Sequence, residues 1–297
     1  MNCCISFAGI QLSFNNFVPN YLFNIWKWKL DPWKISNQLY ALGKIEINRG
    51  ETVYFDNKQF SLLYLEKAGF FERRIYRSVN GETRWDFVRT KGEELVLRYL
   101  VNATWDKISL LYDNTKTNGV IAFEYLAQII PGVCLQKRLL TLHCALIEYA
   151  GTAVAICASS GTGKTTHARL WRDYKNALVL NGDRAVFRQT EDGLYAYGTP
   201  WSGTSGEQIN RRAPLKALIV LERGKSNSIS RLESSEAFKF VFPHLLYPSW
   251  ERAMSEIVMN QLENVLYSIP VYRLKCKPDI EAVEIVEHAV WNGELCG

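Results

Sequence analysis

The segment with the clearest chemistry is the run SSGTGKTT at residues 159–166, which follows an apolar stretch and precedes a helical one. Glycine and serine let backbone N–H groups curl around a polyphosphate, and the start of the following helix adds positive potential. Lys164 would supply charge to the β- and γ-phosphates, and the Thr165 hydroxyl would ligate Mg²⁺. We therefore expect ATP and Mg²⁺ as ligands, although Ala158 stands where the strict P-loop pattern has glycine. The expected phosphate contacts are Ser160, Gly161, Thr162, Gly163, Lys164, Thr165 and Thr166.

An acidic residue, Asp183, follows the next apolar run at 177–180. Only about ten residues of helix fit between the loop and this run, so we expect two parallel strands joined by a right-handed crossover. The carboxyl ends of such strands open onto one edge of the sheet, where ligands bind. Asp183 is thus predicted near the phosphates, as a Mg²⁺ ligand or as the base for an attacking hydroxyl. The alternative is an ordinary turn aspartate.

One histidine, His143, can be placed by strand register. Residues 139–148 and 152–158 flank the turn 149–151 and predict an antiparallel hairpin. That register sets His143 opposite Ala158, where the phosphate loop begins. His143 is therefore a candidate catalytic residue beside the γ-phosphate, with Asp183 and Lys164; a purely structural histidine is the alternative.

A glycine- and hydroxyl-rich stretch at 198–206 precedes a pair of arginines. Trp201, Ser202 and Gly203 are candidate substrate contacts, because such a loop could close over an acceptor. Arg211 and Arg212 could neutralise charge in a transition state. A surface loop with solvated arginines is the competing interpretation.

These motifs together resemble the catalytic domain of HPr serine kinase/phosphorylase, whose core is related to ATP-dependent phosphoenolpyruvate carboxykinase. The resemblance is carried by LHCA at 142–145, SGTGKTT at 160–166 and GDRAV at 182–186, in that order and at short spacing. The segments 198–203 and 213–215 resemble a divergent, stand-alone branch found with peptide-modifying systems. The resemblance implies transfer of a phosphoryl group from ATP to a serine hydroxyl, with Asp183 as the acid/base residue. The family pattern has a second acid where this chain has Arg184.

The elements around these motifs predict an α/β fold with a β-rich N-terminal domain. Residues 1–115 contain short strands at 44–47, 52–55, 74–77 and 85–88, with a hairpin signal at Asn80-Gly81. Tryptophan and lysine alternate over 26–34, which favours a strand over a membrane-interface segment. The turn-rich residues 113–119 predict the boundary with a kinase-like domain at 120–297. That domain is expected to begin with a helix over 120–130, interrupted by Pro131-Gly132. Further elements are a strand at 215–221, helices at 235–246 and 251–266, a strand at 271–274 and a helix at 279–291 with Asp279 near its N-cap.

The composition bounds the remaining possibilities. The chain has 297 residues, 47% hydrophobic and 22% charged, which is typical of a globular protein. A net charge of +5 is too weak to argue for nucleic acid, and no apolar run is long enough to span a membrane. Seven scattered cysteines and the lack of a signal-peptide pattern predict a cytoplasmic protein. The sequence leaves open whether the protein forms a homo-oligomer.

Three functions fit these features. The first is a serine kinase acting on a peptide or protein, and the second is a small-molecule kinase with the same site, acting on an amino acid or metabolite. The third is a regulatory protein that binds nucleotide without turnover; it is favoured by Arg184 in place of the second acid.

Overall fold

The computed structural model describes residues 3–15, 29–35, 43–49, 59–112 and 119–293. The chain divides into two compact units, one of Met1–Lys137 with Ser249–Arg252 and one of Arg138–Pro248 with Ala253–Gly297. The division thus falls after the helix that follows the turn-rich stretch; residues 113–118 of that stretch lie outside the described residues. No helix in the described ranges is long and apolar enough to cross a membrane.

The first unit is built on a mixed sheet of eight strands in the order β1-β2-β3-β8-β7-β6-β5-β4. The strands are β1 (Cys3–Phe7), β2 (Ile10–Asn15), β3 (Gly43–Arg49), β4 (Phe60–Ala68), β5 (Phe71–Ser78), β6 (Thr83–Arg89), β7 (Glu94–Val101) and β8 (Lys107–Tyr112). Strand β3 pairs in parallel with β2 and β8, and the other pairings are antiparallel.

Three of the strands predicted here are confirmed, as is the hairpin at Asn80-Gly81, where Gly81 has a φ of 81°. The predicted strand at 52–55 lies outside the described residues. The strand predicted over 26–34 is wrong for the residues of that range that the structure describes. Residues 29–33 are helical, and Asp31–Trp33 forms a 3-10 turn that buries Trp33. Burial of one large indole has overridden the alternating pattern.

The helix α1 (Gly119–Gln136) closes this unit and corrects a second expectation, because it runs through Pro131 without a break. An interior proline costs a helix about 3 kcal/mol. The residues beyond it, Val133, Cys134 and Leu135, are all buried, and burying each such side chain contributes about 1.5–3 kcal/mol. Gly132 does not end the helix either: a Cβ there would lie 2.2 Å from the Trp105 ring, so glycine permits close packing.

The second unit contains the phosphate-loop motif and a second mixed sheet. Its strands are β9 (Leu140–Tyr149), β10 (Thr152–Cys157), β11 (Leu178–Asn181), β12 (Arg184–Thr190), β13 (Gly193–Tyr197), β14 (Arg212–Arg223), β15 (Ser228–Arg231) and β16 (Val271–Cys276). Its helices are α2 (Lys164–Lys175), α3 (Ser234–Val241), α4 (Arg252–Ser268) and α5 (Ile280–Glu287), the last continued by a π-helical turn, His288–Asn292. Short 3-10 turns lie at Gly203–Ser205 and Phe242–His244.

Strands β9 and β14 are shared along their lengths between different partners. The first half of β9 pairs with β12, and the second half lies between β10 and β11. Strand β14 pairs first with β13 and then in parallel with β10 and β16. Strands β9, β12, β13, β14 and β10 therefore close a hydrogen-bonded ring. As expected, β11 runs in the same direction as β10, but β9 lies between them.

The helices of this unit cover an aromatic cluster and largely match the predicted ones. Trp171 of α2 is fully buried and its ring lies 5.3 Å from Tyr149 and 5.5 Å from Trp291. The N-cap predicted at Asp279 is confirmed, since its side chain accepts a hydrogen bond from the Ala282 amide at 3.2 Å. Helix α3 ends earlier than predicted, followed by the turn Phe242–His244, whose proline cannot continue the helix.

Candidate functional site

The glycine-rich loop, residues 158–163, joins β10 directly to α2, which is the strand-to-helix setting that the motif predicted. Gly161 and Gly163 have φ values of 74° and 122°, which residues with a Cβ rarely adopt. Two basic side chains donate hydrogen bonds to carbonyl groups of the loop. Lys164 Nζ donates to the Ala158 carbonyl at 2.9 Å, and Arg223 Nη2 donates to the Gly161 carbonyl at 2.5 Å. The Lys164 amine is thus folded back over the loop.

The Asp183 carboxylate has a basic group on each oxygen. His143 Nε2 lies 3.2 Å from Oδ1, and Arg184 Nε donates to Oδ2 at 3.0 Å. Burial raises the pKa of Asp183, but the hydrogen bond from His143 and the charge of Arg184 outweigh burial and hold that pKa below its ordinary value. Asp183 is therefore ionised at neutral pH and can accept a hydrogen bond from a hydroxyl group.

The position of His143 follows from strand register, as predicted. Cys144 pairs with Cys157, so His143 is level with Ala158 at the start of the glycine-rich loop. On its other side, His143 pairs with Arg184 of β12. The histidine thus stands between the loop and Asp183 because β9 lies between the two strands that carry them.

A second histidine, His244, lies beside this site and gave no signal in the sequence. An isolated bridge pairs Leu142 with Leu245, and the Leu246 amide donates to the Thr141 carbonyl at 3.0 Å, so His244 is level with His143. Burial, followed by electrostatic interaction with Lys164 and His143, lowers the pKa of His244 to about 4. His244 is therefore neutral at physiological pH.

Asn181, fully buried at the end of β11, fixes the backbone of Asp183. Its Oδ1 accepts hydrogen bonds from the amides of Asp183 at 2.8 Å and Arg184 at 2.7 Å. Its Nδ2 donates to the carbonyl of Thr199 at 2.9 Å and to that of Trp201 at 3.2 Å. No role was predicted for Asn181, whose only signal in the sequence is that a polar residue ends an apolar run.

The segment 198–206 lies against Asp183. Ser202 and Trp201 are both buried. Of the two, only Ser202 lines the cavity beside Asp183. A Cβ atom on Gly203, whose φ is 57°, would lie 2.8 Å from Asp183 Cγ. A Cβ on Gly182 would lie 2.0 Å from Ser205 Oγ, so glycine lets this segment approach β11.

These elements surround a cavity of about 310 Å³, which we call the acid cavity. It brings together nearly all of the residues predicted for phosphate, metal and catalysis. Its lining consists of His143, Ser160, Gly161, Gly163, Lys164, Thr165, Thr166, Gly182, Asp183, Ser202, Thr204 and Ser205. Thr162 instead lines a neighbouring cavity.

Arg211 and Arg212 do not line the acid cavity. Arg211 makes a two-point ion pair with the buried Glu148 near the far end of β9, with Nε–Oε2 and Nη2–Oε1 distances of 2.5 and 2.6 Å. Arg212 stacks over the Tyr195 ring at 4.7 Å and bonds the Tyr197 hydroxyl at 3.2 Å. Both arginines therefore hold neighbouring strands together. The sequence could not predict these contacts, because the partners are distant in the chain.

The residues at this site fit a magnesium ion that is held partly by a phosphate ligand. No group of three or more His, Cys, Asp or Glu side chains with metal-binding geometry is found in the described ranges. Mg²⁺ usually keeps several waters and takes only one or two protein ligands beside substrate phosphates. Thr165 and Asp183, which line the same cavity, offer that kind of donor set.

Comparison with known proteins gives a family-model match and distant structural likenesses. The solved structure of the HPr(Ser) kinase/phosphatase from Coxiella burnetii aligns with 52% of this chain and 89% of its own, at 10% identity and a TM-score of 0.32. No curated protein matches the sequence. The family model described as "SynChlorMet cassette protein ScmC" matches residues 109–290, which is more than half of the chain. The chain therefore belongs to the ScmC family of SynChlorMet cassette proteins.

Proposed function

We propose that this protein is a P-loop kinase that transfers the γ-phosphoryl group of ATP, with Mg²⁺, to the hydroxyl of a serine in a peptide or protein. The observation that carries the proposal is that Asp183 lines the same cavity as Lys164 and Thr165. A phosphate clamp and an ionised carboxylate in one cavity are the two parts that transfer to a hydroxyl requires.

In this proposal the roles follow from position. The loop amides and Lys164 bind and orient the phosphates. The acceptor oxygen forms a bond to the γ-phosphorus, the bond from that phosphorus to the bridging oxygen of ADP breaks, and the hydroxyl proton passes to Asp183. His143 and Arg184 hold the carboxylate in place. Mg²⁺, held by Thr165 and Asp183, would supply charge neutralisation for the phosphates.

The acceptor side of the cavity suits a hydroxyl compound. Ser202, Thr204 and Ser205 line it, and all three are uncharged hydroxyl residues. They offer hydrogen bonds without selecting for a net charge on the acceptor. A serine side chain meets this requirement, and a small hydroxylated metabolite is the alternative acceptor.

The test uses γ-labelled ATP, Mg²⁺ and an extract of the producing cells. We expect a labelled macromolecule, and a general base contributes about 10²–10⁴-fold, so Asp183→Asn should lower labelling by that factor while ATP still binds. Asp173→Asn makes the same chemical change on the exposed face of α2 and should leave labelling unchanged. If the label appears in a small compound instead, the acceptor is a metabolite and not a peptide or protein.

A second candidate function is a nucleotide-binding regulatory protein without turnover. It is favoured by the guanidinium of Arg184, 3.0 Å from Asp183 Oδ2, which occupies one of the two oxygens that a base could use. Tight ATP binding, with no transfer to any acceptor and no difference between the wild type and Asp183→Asn, would establish this function and exclude both kinase proposals.

A further inference from the structure

A second cavity, of about 350 Å³, is lined by part of the glycine-rich loop but not by Asp183. We call it the outer cavity. Gly161, Gly163 and Thr166 line both cavities, so the two cavities adjoin along the loop and the first turn of α2. A molecule whose phosphates follow the loop would reach from one cavity into the other.

The lining of the outer cavity suits a ring system with polar edges. Its apolar lining comes from Leu221, Cys276 and Pro278, and two cationic residues, Arg223 and Lys277, lie at its exposed rim. Apolar walls with a few polar groups are typical of small-molecule sites, and the volume lies within their usual range of about 300–1,000 Å³. Cations near an aromatic ring add electrostatic attraction.

One buried polar side chain in this cavity lacks a partner. His167 of α2 is only 3% exposed and lines the outer cavity. Among the described residues, neither of its ring nitrogens has a hydrogen-bond partner. A buried polar group without a partner costs about 1–3 kcal/mol, which a hydrogen-bonding ligand can recover. Burial lowers the pKa of His167 to about 4, so the imidazole is neutral.

We propose that the outer cavity binds the base and ribose of the nucleotide, while its phosphates lie along the glycine-rich loop toward Asp183. The inference rests on the proposed function, because it takes a nucleoside triphosphate as the ligand of the loop. It divides the binding energy between two cavities: the acid cavity holds the reacting phosphate, and the outer cavity holds the part of the nucleotide that does not react.

The experiment compares two ligands that share phosphates and differ in the nucleoside, ATP and inorganic tripolyphosphate, by calorimetry. Pro278→Trp places a large side chain at the exposed mouth of the outer cavity. We expect it to weaken ATP binding at least tenfold and to leave tripolyphosphate binding unchanged. Lys225→Trp, an equally bulky change at an exposed residue that does not line the cavity, should affect neither ligand.

The outcomes separate the two proposals. Unchanged ATP binding by Pro278→Trp, or an equal loss for both ligands, would overturn the nucleoside site while leaving the loop as a phosphate site. A wild-type protein that binds neither ligand would overturn the proposed function and this inference together. A selective loss of ATP binding supports both.

Discussion

Replacing Gly203 by alanine should separate the positioning of Asp183 from the stability of the fold. The new Cβ would lie 2.8 Å from Asp183 Cγ and 2.9 Å from Oδ1. Non-bonded carbon atoms sit at about 3.5–4.0 Å, so the carboxyl group must move by about 1 Å. A misplacement of about 1 Å at a reacting group can lower a rate about 10²-fold. We therefore expect phosphoryl transfer to fall by about 100-fold.

The chain offers a matched control three residues later. Gly206 also has a positive φ, 71°, but a Cβ there meets nothing within 4 Å. Both substitutions force an alanine into the left-handed region, at a cost of about 1–2 kcal/mol in the free energy of unfolding. Only Gly203→Ala adds a clash with Asp183.

The assay measures phosphoryl transfer from γ-labelled ATP together with the denaturation midpoint of each variant. Gly203→Ala and Gly206→Ala should be similarly destabilised, and only the first should lose transfer while it still binds ATP. Equal transfer rates in the two variants would show that the carboxyl position seen here does not govern the reaction, and the argument for Asp183 would fail.

Three other predictions concern the same unit. Lys164→Ala should abolish nucleotide binding, measured by calorimetry, because it removes the cation of the phosphate loop; retained affinity would contradict the assigned site. Arg211→Met should lower the free energy of unfolding by about 2 kcal/mol, because it leaves Glu148, whose side chain is 8% exposed, without its partner, whereas Arg211 itself is 52% exposed. ATP affinity should not change. A loss of affinity without destabilisation would show that Arg211 takes part in nucleotide binding. Asn181→Leu should destabilise the unit by about 3 kcal/mol in denaturant titrations, because it leaves the Asp183 amide unpaired; an unchanged midpoint would argue against this role.

The local features of the site could be predicted because they depend on neighbours in sequence. A buried strand, a glycine-rich turn and a helix start follow one another directly in β10, residues 158–163 and α2. The tight turn with Ala150 and Gly151 at positive φ fixes the register of β9 on β10, and that register places His143 beside Ala158. In these cases a few consecutive residues are enough to decide the geometry.

The features that the sequence did not reveal involve residues far apart in the chain. Pro131 looks like a helix breaker until the burial of the residues beyond it is known. Arg211 looks like a free cation until its pairing with Glu148, 63 positions earlier, is seen. His244 comes to the side of His143 only through the bridge between Leu142 and Leu245. Local periodicity does not predict packing and pairing between residues so far apart in the chain.

The sequence by itself determined the phosphate-loop motif, its strand-to-helix setting and the register of the hairpin that carries His143. Only the tertiary structure decided which side chains meet in one cavity. Strand β9 had to insert between β10 and β11, and residues 198–206 had to dock on Asn181, before Asp183 faced the loop. The physical reason is that chain geometry sets local turns, whereas side-chain neighbours across a sheet depend on pairings between strands distant in sequence.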